Sequence, residues 1–193
     1  MKTRILILMM IACTALAAPA QNRVQDTFLG CRLGEDFRSV SNSERWYGRG
    51  VSTSSSKQDG YFSVDAGLGA GIVFGGQIWR ECRYYFSDLD VLYKVRFYTN
   101  YSYEEAARAR YRTVLKNLDA RYPKRSGIER TVTDDWEKDM LESVTFTDSK
   151  GRSCRIELKY KPSVNRCMYY YVIIYYTDEK LLTGRNPQYM EEL

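Results

Sequence analysis

The chain contains no histidine. That absence removes Ser-His-Asp and Cys-His catalysis, imidazole metal sites and the usual proton shuttle near neutral pH. Any catalysis falls to carboxylates, Lys, Tyr or Cys. Proline is scarce, at 4 of 193 residues, so ring geometry interrupts few segments. A strong excess of one charge is missing as well. Lys plus Arg number 29 against 24 Asp plus Glu, a net charge of +5 that forms no basic stripe and argues against a nucleic-acid partner. Past the first twenty residues no apolar run approaches the roughly 20 needed to cross a membrane. Charged residues at 27% and apolar ones at 44% are the balance of an ordinary globular chain.

What is present begins with an address. Lys2 and Arg4 precede an apolar run from Ile5 to Ala18, followed by Ala18-Pro19-Ala20. A charged start, a short apolar core and a small-x-small end make residues 1–20 a secretory signal peptide, with the mature chain beginning at Gln21 in the periplasm or outside the cell. Met10-Ile11-Ala12-Cys13 offers an alternative. It resembles a lipobox, in which Cys13 carries lipid and anchors the protein to a membrane. Without Lys2 and Arg4 the mature chain carries 27 cations against 24 acids, a net +3.

Cys31, Cys82, Cys154 and Cys167 remain as candidate disulfide cysteines for an exported chain, with buried free thiols as the alternative. One pairing is disfavoured. A turn at Lys161–Asn165 places Cys154 opposite a residue near Ile173, some six strand positions (about 20 Å) from Cys167, beyond disulfide reach.

Residues 21–27 read as a flexible start, and 178–193 as a loose tail. Leu33, Phe37 and Val40 suit one face of a short helix over 34–44, and Ser41–Gly60 reads as a loop. In Gln77–Phe86, Ile78, Cys82, Tyr84 and Phe86 share a face; in Val91–Thr99, Val91, Tyr93, Val95 and Phe97 do. The two segments predict an antiparallel hairpin with one packed face. Ser102 with Glu105 forms a capping-box pattern, and the spacing Tyr103, Ala107, Tyr111, Val114, Leu115, Leu118, Tyr122 predicts an amphipathic helix ended by Pro123. Leu141–Thr147, Arg152–Tyr160 and Cys167–Thr177 predict three more strands.

This pattern predicts an α+β fold of two tandem helix-plus-three-stranded antiparallel sheet units, residues 28–99 and 100–177. Phe74, Arg80, Cys82 and Arg83 recur 72 positions later as Phe146, Arg152, Cys154 and Arg155. Tyr93, Phe97, Tyr98 and Thr99 recur 78 positions later as Tyr171, Tyr175, Tyr176 and Thr177. Phe28-Leu29-Gly30 with Leu33-Gly34, Phe74-Gly75-Gly76-Gln77-Ile78-Trp79 and Ala120-Arg121-Tyr122-Pro123 together resemble small exported bacterial proteins, notably of the Bacteroides group, many of them uncharacterised. The two-copy plan is similar to the β-lactamase-inhibitor-protein fold and to outer-membrane assembly lipoproteins. The resemblance implies a binding protein, not an enzyme, and carries over no functional residue.

Ser54-Ser55-Ser56-Lys57 matches the Ser-x-x-Lys nucleophile motif, but it sits in a Ser-rich segment without the partner motifs. Gly67, Gly69 and Gly71 hint at a phosphate cradle, yet no Gly-Lys-Ser/Thr follows. Asp134, Asp135, Glu137 and Asp139 lack calcium-loop spacing. Neither metal nor cofactor is implied. The surface that invites a partner is the sheet face opposite the helices, with Trp79, Arg83, Tyr85, Arg96, Tyr98, Arg155 and Tyr171, joined by Lys94, Lys159, Tyr169 and Tyr175. Aromatics with Arg have the composition of binding hot spots, and flat rings suit sugars. The expected function is an exported, non-enzymatic binding module that contacts a protein or envelope component through that face. The alternatives are a small carboxylate-dependent hydrolase or glycan-active enzyme, and a lipid-anchored structural component of the envelope.

Overall fold

The computed structural model describes residues 22–47, 50–66, 71–133, 139–162 and 167–182. The expected leader, Cys13, Gly67, Gly69, Asp134, Asp135, Glu137 and residues 183–193 lie outside them.

The chain opens with a small ladder, β1 (Thr27–Phe28) and β2 (Cys31–Arg32), turned at Leu29 and Gly30. Two short helices follow, α1 (Phe37–Ser41) and α2 (Ser43–Trp46). Each is started by a polar cap. The Asp36 carboxylate accepts the Ser39 amide at 2.9 Å, and the Asn42 side chain accepts that of Glu44 at 3.1 Å. Then come β3 (Val51–Ser56), β4 (Tyr61–Ala66), a two-stranded hairpin of β5 (Ile72–Phe74) and β6 (Gln77–Trp79), and β7 (Glu81–Phe86) with β8 (Leu92–Tyr101). The long helix α3 (Glu104–Arg121) leads to β9 (Glu129–Val132), β10 (Met140–Thr147), β11 (Arg152–Pro162) and β12 (Met168–Asp178).

Eight of these strands form one antiparallel sheet in the order β3-β4-β7-β8-β12-β11-β10-β9. This corrects the expected pair of tandem helix-plus-three-stranded units. Each half of the chain supplies four strands to the sheet, and both meanders run from an edge inward. Their last strands pair at the centre, from Tyr170 opposite Tyr101 to Thr177 opposite Lys94. The sheet is continuous across the expected boundary, and among the described residues the long helix lies in the second half. The extra strands are the edges β3 and β9 and the inner strand β4, which buries Phe62 and Val64, while the expected strand at Ile72–Phe74 pairs with β6 outside the sheet. β3 (VSTSSS) and β9 (ERTV) are largely solvent-exposed, so nothing in them alternates in hydropathy and the first reads as a Ser-rich loop.

The apparent repeat aligns β7 with β11 in one register and fails in the other, and even in the first Phe74 lies on the separate β5–β6 hairpin while Phe146 lies in the large sheet. Cys82 and Cys154 both point into the core, while Arg83 and Arg155 sit on the opposite face. The 78-residue shift equates Phe97, in the core, with Tyr175 on the opposite side. It slips one residue, which inverts every side chain of a strand.

α3 lies on β8, β11 and β12 and buries Ala107, Tyr111, Val114 and Leu118, the face its periodicity predicted. The capping box does not form. Tyr103 is the N-cap, it makes no side-chain cap bond, and it is exposed. Beneath the helix an aromatic cluster fills the core. Phe74 stacks on Phe97 with centroids 4.1 Å apart, and Phe28 meets Tyr176 at 4.6 Å. Val24 and Asp26, in the segment expected to be loose, are tied to the body. The Val24 amide donates to Asp148 at 3.0 Å, and Arg152 bridges Asp148 at 2.9 Å and Asp26 at 3.3 Å. These hydrogen bonds hold the Asp148 carboxyl below its usual range against the opposing effect of burial. Among the described residues no helix is long and apolar enough to cross a membrane.

Candidate functional site

Strand alternation sends every second residue of the large sheet away from α3. On the four central strands, pairing register sets these residues in rows. One row runs Arg83, Arg96, Tyr175, Arg155 across β7, β8, β12 and β11. The next runs Glu81, Tyr98, Ile173, Glu157, and a third holds Tyr85, Lys94 and Thr177. Tyr171 opposite Lys159 adds a fourth. Six of the seven binding residues expected from sequence therefore share one face.

Trp79 is the exception. It was expected beside Arg83, but it is 1% exposed within the core, its indole donating to the Phe74 carbonyl at 3.1 Å under the Arg110 guanidinium. Ile78, expected inside, is 65% exposed. The cause is local. The segment read as one strand is two, β6 and β7, broken at Arg80, and β6 pairs with β5 instead of with the large sheet. The inward and outward parity resets at the break.

The face is also not the open surface that was expected. Arg96 is 7% exposed and Glu157 is 2%. Long side chains from neighbouring strands lie over one another and remove water from the middle rows. Lys94 lies over the rings of Tyr85 at 5.1 Å and Tyr175 at 4.6 Å. Arg96 lies over Tyr98 at 5.2 Å, and Arg83 over Tyr61 at 4.6 Å. A cation above an aromatic ring contributes about 0.5–2 kcal/mol, more as water is excluded.

Two carboxylates outside the expected binding residues organise the charges. Glu81 accepts Arg96 at 2.5 Å on one oxygen and Arg83 at 3.2 Å on the other. Glu157 meets Arg155 at 2.8 Å and Lys159 at 3.2 Å in the same way. The signal for both is the alternation itself, since each stands two residues along the strand from an expected binding arginine, on the same face. Lys94 has no carboxylate within ion-pairing distance among the described residues. Burial, and then the charge of Arg96, lower its ammonium to a pKa of about 8. Burial raises the phenols of Tyr85, Tyr98 and Tyr175.

Two cavities open on this face and meet at Lys159 and Tyr175. The smaller, about 270 Å³, is lined by Glu81, Arg83, Arg96, Tyr98 and Tyr171 among others. The larger, about 930 Å³, runs past Lys94, Arg155 and the hydroxyls of Thr145, Thr147, Ser153 and Thr177. In the smaller, the Nε atoms of Arg83 and Arg96 are buried without a hydrogen-bond acceptor. Asp139, with φ of 79°, also lines it.

The remaining candidates are dispersed. Ser54 donates to or accepts from Ser63 at 2.7 Å on the edge strand, and Lys57 pairs with Asp90 at 2.9 Å, so Ser-x-x-Lys does not form a nucleophile and base. Gly71 precedes β5 and cradles nothing: an added Cβ there meets the Ile78 side chain. Cys31, Cys82 and Cys154 are buried free thiols and Cys167 an exposed one, so the candidate disulfides are not formed. Cys154 stands opposite Tyr176, further still from Cys167 than the turn predicted. Burial raises Cys154 to about 12, which leaves it inert as a nucleophile. Among the described residues no three His, Cys, Asp or Glu gather as metal ligands.

No protein-family model matches the chain, and neither a curated protein nor a solved structure matches it.

Proposed function

We propose that the chain is an exported, non-enzymatic binding module whose partner, a protein or a component of the cell envelope, seats against the helix-free face of the sheet. One observation carries this reading: the row Arg83, Arg96, Tyr175, Arg155 lies at the floor of two adjoining cavities in place of a second apolar layer. A sheet face that merely needed covering would bury aliphatic side chains. This one holds tyrosine and arginine, which make strong contacts once water is displaced.

The chemistry speaks against hydrolysis at the same place. Glu81 and Glu157 stand three strand spacings apart, about 14 Å, beyond the separation at which two carboxylates flank a glycosidic bond. Both are also neutralised by two cations each. A second reading rests on Asp65, which lies directly opposite Glu81 and whose pKa is raised by burial and then by that neighbour's charge. Such a pair is the raw material of acid–base catalysis. It ranks second because Asp65 does not line either cavity.

The test removes rings, not charges. Tyr98→Ala/Tyr171→Ala should keep the melting temperature of the wild type within a few degrees, since both side chains are half-buried at the cavity wall. Immobilised, it should retain less than about a tenth of the envelope protein or carbohydrate that the wild type retains, a loss of about 1.4 kcal/mol or more. Equal retention by the two proteins sinks the reading.

A further inference from the structure

The four central strands carry five cations on the helix-free side: Arg83, Lys94, Arg96, Arg155 and Lys159. Against them stand two carboxylates, Glu81 and Glu157. Asp139 brings one more to the smaller cavity, while the exposed Lys161 and Glu179 offset each other. The recess therefore keeps a positive excess, with Arg96 almost dry and Arg83, Arg155 and Lys159 partly buried around it. Buried charge without a counter-charge is costly, and a bound anion relieves it. The vacant hydrogen-bonding positions agree. Arg96 is more than nine-tenths buried, its Nε has no acceptor, and it lines the smaller cavity; the Nε of Arg83 is the same. On β8, Lys94 lies two residues from Arg96, about 7 Å along the same strand.

Resting on the binding role of this face, we propose that it takes an acidic oligosaccharide, with sugar rings against Tyr98 and Tyr171 and carboxylate or sulfate groups on Arg96, Lys94 and Arg155. Sugar is favoured over an acidic peptide by the backbone. Each central strand is paired on both sides, so an extended peptide finds no free edge to join and meets the face through side chains alone. A sugar chain presents an apolar ring face to each tyrosine and hydroxyls all along its length. The larger cavity answers those hydroxyls with Thr145, Thr147, Ser153 and Thr177.

The experiment is a calorimetric titration of the full chain with four probes: a galacturonate hexamer, its methyl-esterified form, a sulfated hexasaccharide and a polyglutamate of equal charge. The hexamer or the sulfated probe should bind, and whichever is tighter identifies the anion. Methyl esterification should weaken the hexamer at least about tenfold, and polyglutamate should bind at least about tenfold less well than the better sugar. Lys94→Met keeps an aliphatic stem between the two tyrosine rings. It and Arg155→Gln should each weaken the acidic sugar at least about tenfold, with melting temperatures at or above that of the wild type for Lys94→Met. Binding of the ester as tightly as the acid overturns the proposal. So does a preference for polyglutamate, an affinity indifferent to both substitutions, or no binding of either acidic sugar. Each of those results leaves the tyrosine test of the face itself standing, and the two failures are therefore distinguishable.

Discussion

The two faces of the central strands are made from alternate residues of the same segments, yet they reach burial by opposite means. Toward α3, Cys82, Tyr84, Val95, Phe97, Ile156, Leu158, Val172 and Ile174 pack as a continuous apolar layer. Away from it, Glu81, Arg96, Glu157 and Tyr175 are almost as dry, but pairing and ring contacts exclude the water. The first arrangement gains from area removed from water, roughly 25 cal/mol per Å². The second roughly breaks even, since ion pairs recover little beyond the cost of their own desolvation. A face that contributes little to folding is consistent with the contact role proposed for it.

The largest effect should come from breaking the first arrangement. Phe97→Ala removes a ring stacked on Phe74 and touching Phe28, and should cost about 3–5 kcal/mol in denaturant unfolding. A cost below about 1 kcal/mol would mean that the helix side is no tighter than the other. Next comes Glu81→Gln, which leaves two guanidiniums without their carboxylate. It should cost about 3 kcal/mol, and Glu81→Gln combined with Arg96→Met should cost less than the sum of the separate changes. Additive losses would show that the pair is not a unit.

The smallest effect is one of pH. Lys94 faces Tyr85 from β7, Arg96 on its own strand, Tyr175 from β12 and Arg155, Glu157 and Lys159 from β11. Its folded pKa of about 8 lies below the unfolded value near 10.4, so between these values the unfolded chain binds more protons and stability rises with pH. From pH 7 to 9.5 the wild type should gain about 1–2 kcal/mol relative to Lys94→Met, read from paired unfolding curves. The range stops short of pH 10, where the buried phenols act in the opposite sense. Parallel curves would place Lys94 in water.

Much of this contrast could be read in the sequence because a strand alternates without regard to its neighbours. Arg83, Arg96, Arg155, Tyr85, Tyr98 and Tyr171 declare their side by parity alone, as does the helix face around Tyr111 and Leu118, whereas Tyr93, expected in the core, lines the larger cavity beyond a register shift and Leu92 takes its place. Three things stayed hidden, each for a physical reason. The edge strands β3 and β9 bury almost nothing and so carry no alternation. Trp79 changed sides because Arg80 interrupts the strand, and no local preference marks a break that only the pairing of β5 with β6 requires. The merging of two expected units into one sheet depends on the β8–β12 ladder, a pairing between segments some seventy residues apart that neither segment's pattern encodes.

The bond from the Val24 amide to Asp148 has an orientational consequence. Asp148 begins the short turn that ends at Gly151, and Gly151 belongs to the wall of the larger cavity. Val24 is buried in the core on the α3 side, where the Gln25 amide donates to Tyr122 at 3.2 Å, so the bond fixes that side of the body against the turn at the cavity's rim. Loss of the Asp148 carboxylate would therefore loosen the segment at Val24 and the rim of the larger cavity together.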